Sequence, residues 1–179
     1  VRPMLKPEEI LDEYYSAFGP AKSAVARYFG HWEQVSDSVM SEEFQRYWDE
    51  DASKFWLTVL DRVFTPEVMK RGRELLAQAQ AAAKGDALAE KRAQYLDMGL
   101  RDAELTLATQ AAFRAYKEKP GDMLRFDAYR AALRALADFR AGAETWNIAN
   151  YGYLAMTEWR VWDASLLRVK LGDRPLPLA

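Results

Sequence analysis

His31 is the only histidine of the chain, and there is no cysteine. A Ser–His–Asp or Cys–His relay needs an imidazole placed to move a proton from a nucleophile. Here the imidazole sits mid-helix beside Trp32, a structural or surface position. The absence of cysteine excludes disulfides, thiolate metal sites and cysteine nucleophiles. A di-iron bundle would need two Glu-x-x-His motifs on facing helices, and neither Glu144 nor Glu158 has a histidine three residues on. Carboxylates are plentiful by comparison. Glycoside hydrolysis uses a pair of them about 5–10 Å apart, and Asp97, Asp102, Glu104, Glu144 and Glu158 are candidates by type. Acids on helices more often line a solvated face or form ion pairs. Asp97 and Arg101 have the i, i+4 spacing of such a pair. No catalytic residue, no metal ligand and no cofactor site follows from these types and spacings, and enzymatic activity of this chain by itself is not expected.

The tryptophans offer a second kind of chemistry. Six occur, and Trp159 and Trp162 lie three residues apart on one helix face. With Trp146 and Asn150, and with Asn147, Tyr151 and Tyr153 nearby, they could line a polar-aromatic groove on which a sugar ring stacks. The same residues at helical spacing also describe a core or a docking face. Neither a Gly-x-Gly-x-x-Gly element nor a P-loop is present, and Lys84-Gly85-Asp86 reads as a turn, not a phosphate cradle. The formal net charge of −2 supplies no basic excess for nucleic acid. No apolar run approaches the roughly 18 residues of a membrane-crossing helix.

The elements that would hold these residues read as helices throughout. Half of the 179 residues are hydrophobic and 13% are aromatic, enough for a real core. Pro7-Glu8-Glu9 opens a first helix to about Phe18, with acids in the turn that the helix dipole favours. Gly19-Pro20 stops it and starts a second helix carrying Val25, Tyr28, Phe29 and Trp32. Ser41-Glu42-Glu43 reads as the start of a third, through Phe44, Trp48 and Trp56, with a break at Asp49-Glu50-Asp51. Thr65-Pro66-Glu67 is the clearest start signal, for a helix ended by Gly85. Asp86 caps a long helix of about thirty residues. Lys119-Pro120-Gly121-Asp122 turns into another, and a last helix is expected over Glu144–Leu167 after a break at Gly142.

The expected fold is all-α: one helical domain over 1–179. An aromatic-rich N-terminal subdomain (1–62) precedes an antiparallel long-helix bundle (63–170) and an irregular tail (171–179). The first two helices carry more large apolar side chains than a short pair can bury. Ile10, Leu11, Tyr14, Tyr15, Phe18, Phe29 and Trp32 are therefore candidates for a docking face, exposed or hidden in a homodimer when the domain stands alone. The chain starts at Val1 without a charged, apolar leader, and reads as a piece of a longer protein.

Pro7–Glu33 resembles a region that follows the catalytic barrel in bacterial glycoside-hydrolase-like proteins, including hexosaminidase-like and alpha-glucuronidase-like enzymes. The likeness rests on Phe18-Gly19-Pro20-Ala21, on Tyr28-Phe29 and on Trp32-Glu33. Arg92-Ala93-Gln94-Tyr95-Leu96-Asp97-Met98-Gly99-Leu100 and Glu144-Thr145-Trp146-Asn147-Ile148-Ala149-Asn150-Tyr151 look like the same uncharacterised C-terminal family. The resemblance implies a non-catalytic accessory or scaffold domain of a carbohydrate-active enzyme, extracytoplasmic, with the parent chain's catalytic barrel as partner. Catalytic acids of such enzymes sit on barrel strand ends, so none is carried over to this chain. Two other functions are compatible with the residues: a carbohydrate-binding module using Trp146, Asn150, Trp159 and Trp162 on oligosaccharide, and a self-contained glycan hydrolase or lyase.

Overall fold

The computed structural model describes residues 6–39, 60–146 and 148, and is an all-α helical bundle with no strand among the described residues. The helices are α1 (Pro7–Ser16), α2 (Lys22–Val39), α3 (Pro66–Ala83), α4 (Ala87–Glu118) and α5 (Met123–Ala143). Short 3₁₀ turns at Gly19–Ala21 and Glu144–Trp146 precede α2 and follow α5. Residues 60–63 are also helical. The helix expected to open at Ser41 otherwise lies outside the described residues, as do the Glu144–Leu167 helix beyond its first residues and the tail at 171–179.

Most helix starts obey side-chain capping. Thr65 Oγ1 accepts from the Val68 amide at 3.3 Å, with Pro66 in the first helical position. Asp86 Oδ1 accepts from the amides of Leu88 and Ala89, both at 3.0 Å. Asp122 Oδ1 accepts from Leu124 and Arg125 at 3.1 and 3.3 Å. The hydrogen bond donated by the Arg125 amide, with Lys119 beside it, holds the Asp122 carboxyl below its ordinary pKa of 3.8. Its contribution to the start of α5 is thus fully present above 3.8 and fades as acidification passes its lowered folded value. Acid titration followed by amide exchange should therefore expose the Leu124 and Arg125 amides in strongly acidic solution. In Asp122→Asn, which can still cap but cannot titrate, that pH dependence should vanish.

Two places depart from the expected helix grammar. Pro20 does not open α2 directly. Gly19, at φ 53°, starts a 3₁₀ turn, and the α-helix begins at Lys22. Gly142 does not break its helix either: α5 runs through it to Ala143. A lone glycine weakens a helix by only about 1 kcal/mol, too little to outweigh the buried side chains on the last turns.

The chain divides into two compact units. The described residues of the first are 6–39 and 64–100, and those of the second are 60–63, 101–146 and 148. α2 packs against α3 in the first unit. In the first unit Ala21, Ala24, Val25 and Tyr28 are buried, as are Leu75, Leu76 and Ala79 of α3 and Ala89, Ala93 and Leu100 of α4. The alanines among them permit close helix approach. At Gly72 a Cβ would run into Cζ2 and Cη2 of the Trp32 indole. In the second unit Tyr129, Leu133 and Leu136 of α5 form the core, packed against Leu105, Ala112, Phe113 and Tyr116 of α4 and Phe126 of α5. The Phe113 and Tyr129 rings meet at 5.1 Å.

Candidate functional site

The most distinctive surface of the first unit is α1. Every other described α-helix of that unit buries residues, and α1 buries none. Its formation is nonetheless well supported at both ends. Pro7 occupies the first position, and the Glu9 carboxylate accepts from the Lys6 amide at 2.9 Å. At the far end Arg92 of α4 donates to the Ala17 carbonyl. Lys22 Nζ pairs with Asp12 Oδ1 at 2.6 Å.

The apolar face of α1 is covered only toward its C-terminal end. Phe18, just beyond the helix, is 5% exposed, while Ile10, Leu11 and Tyr14 are 53%, 46% and 47% exposed. Of the seven residues expected to form a docking face, Phe18 is buried and belongs to the core of the first unit. Tyr15, Phe29 and Trp32 are half-buried. Tyr14 packs edge-on to Phe18 and Phe29, each with ring centroids 5.6 Å apart, and Tyr15 lies 5.9 Å from Phe29. Partial burial pushes the Tyr14 phenol above its ordinary pKa of 10.0, and the nearby phenols of Tyr15 and Tyr95 push in the same direction. Tyr95 and Leu88 of α4 are themselves exposed. They stand seven residues apart, so they lie on one helix face, with Arg92 between them. Exposed apolar side chains of this unit thus occur on α4 as well as on α1.

Trp32 has a packing role. Its ring rests on Gly72, 5.8 Å from Tyr28 and 6.1 Å from Phe64. His31 Nε2 lies 3.0 Å from the Val68 carbonyl oxygen, tying α2 to α3. That contact gives the single histidine a structural function.

Of the five candidate carboxylates, Asp97, Asp102 and Glu104 are engaged with guanidinium groups, while Glu158 and the side chain of Glu144 lie outside the described residues. Asp97 pairs with Arg73 of α3, and not with Arg101, which reaches Glu104 Oε2 at 3.4 Å. The i, i+4 spacing lost to a partner from another helix because Arg73 meets Asp97 where both are partly shielded from water. Asp102 Oδ1 accepts from Arg140 Nε at 2.8 Å, and Arg140 also donates to Thr106 Oγ1 at 3.2 Å. Thr109 and Gln110 are buried on the same helix. In the sequence this polar layer is signalled only by Arg140, which falls on the apolar stripe of α5. Among the described residues no group of three or more His, Asp or Glu is placed to hold a metal ion, and no helix is long and apolar enough to cross a membrane.

Of the proposed sugar-binding residues, Trp146 ends the 3₁₀ turn after α5 and is half-buried. Asn150, Trp159 and Trp162 lie outside the described residues. No protein-family model matches the chain, and no curated protein or solved structure matches it.

Proposed function

We propose that this chain is a non-catalytic helical accessory domain that docks through α1 against the catalytic barrel of a glycoside-hydrolase-like protein. One observation carries the docking: α1 is held in place at both ends while Ile10, Leu11 and Tyr14 on its apolar face stay open to solvent. Contiguous exposed apolar surface of this kind marks an interaction site more often than an accident of folding. The likeness of Pro7–Glu33 to sequence that follows a barrel supplies the identity of the partner. The guanidinium partners of Asp97, Asp102 and Glu104 favour a structural role for those acids.

The test places a photoreactive benzoylphenylalanine at position 11 in the full product of the gene that encodes the chain. Irradiation is expected to link α1 to peptides of a barrel domain. Links confined to a second copy, or a gene product with no barrel, would overturn the proposal.

A further inference from the structure

We infer that the surface received by α1 is an apolar ridge flanked on both sides by lysine or arginine; this rests on the docking function proposed above. Successive helical residues turn about 100°. On that wheel Ile10, Tyr14 and Leu11 span an arc of about 100°, which is the width of a helix-burying stripe. Glu13 then falls about 60° beyond Ile10 on one side, and Glu8 about 60° beyond Leu11 on the other. Both are exposed. The remaining acids of α1 are otherwise occupied: Glu9 accepts from the Lys6 amide, and Asp12 pairs with Lys22. α1 itself carries no basic residue. An apolar stripe with one free carboxylate along each edge is complementary to an apolar ridge with a cation along each edge. An acidic or uniformly apolar partner would leave both carboxylates facing like charge or desolvated without a counter-charge, which disfavours it.

A second copy of this chain is a poor occupant for the same reason. Two α1 helices placed face to face would bring Glu8 and Glu13 of one copy against those of the other.

The inference is tested with two synthetic amphipathic helical peptides of identical leucine face, one flanked by lysine and one by glutamate. Isothermal titration into the whole chain is expected to show the lysine peptide binding roughly tenfold tighter or better. Raising the salt from about 0.01 M to about 1 M, which shortens the screening length from about 30 Å to about 3 Å, should remove the difference. Glu8→Gln/Glu13→Gln should abolish the preference and Glu8→Lys/Glu13→Lys should invert it, with helicity by circular dichroism unchanged. Equal binding of the two peptides, binding of neither, or a preference untouched by the glutamine variant would overturn the inference, as would self-association by sedimentation that these variants strengthen. The crosslinking result is independent: links to a barrel with no peptide preference would sink the basic flanks and leave the docking intact.

Discussion

Asp102→Ala is expected to cost the protein about 3 kcal/mol, because removing one member of a buried ion pair leaves the other charge poorly compensated. Arg140 and Asp102 are shielded, with side chains 10% and 16% exposed. Tyr129, Leu133 and Leu136 of the same helix are buried, so α5 holds Arg140 beside the site that Asp102 would vacate. The guanidinium's bond to Thr106 is to a neutral hydroxyl, a weaker contact than the charged one that is lost. Urea unfolding followed by circular dichroism reads the effect as a lowered midpoint. The double variant Asp102→Leu/Arg140→Met should recover most of the loss, because apolar groups of similar volume need no charge partner. A single variant within about 1 kcal/mol of the parent would show that the pair is exposed enough to behave as a surface salt bridge.

Gly72→Ala should destabilise the first unit by about 2 kcal/mol, although alanine is the better helix former. The propensity gain is about 1 kcal/mol, and forcing a methyl into a filled space costs about 1–3 kcal/mol, sometimes more. The larger figure applies because the obstruction is an aromatic ring, not a flexible chain end. Cζ2 and Cη2 of Trp32 lie where the methyl must go. The indole is itself hemmed in by Tyr28, by Phe64, and by His31, whose ring centre is 4.7 Å away. Trp32→Phe in the same chain removes the outer ring atoms, so Gly72→Ala/Trp32→Phe should be more stable than the sum of the two single changes predicts. Additive losses would mean that the indole has room to move.

Much of the local structure could be read from residue types. Thr65-Pro66, Asp86 and Asp122 start helices because each places an oxygen where unpaired amides need one, and that requirement is local. Gly85 and Gly121 follow helix ends with φ of 93° and 94°. What could not be read is long-range choice. Asp97 had a suitable partner four residues away and took Arg73 instead. Arg140 and Asp102 are 38 residues apart, and nothing in either neighbourhood names the other. The same limit applies to which helices pair. Pairing α2 with α3 depends on Gly72 accepting an indole, a fact of shape that periodicity does not carry. On the docking face, the apolar residues of α1 were legible as a group. Their division into a buried Phe18 and an open Ile10, Leu11 and Tyr14 was not, because it depends on how far α2 reaches along α1.

The short link between α1 and α2 has an entropic consequence. Gly19 can turn there at positive φ, and its lack of a side chain also matters because a Cβ would approach Asp86 Oδ2 to 3.0 Å. Together with Arg92 on the Ala17 carbonyl, this fixes the angle at which α1 leaves the body of its unit. Ordering a free backbone costs about 1–2 kcal/mol per residue. For α1 that loss is already incurred when the chain folds, so it is not charged again on association. A partner meets a rigid rod at a set angle, and the affinity of so small an apolar stripe can go almost wholly into contact.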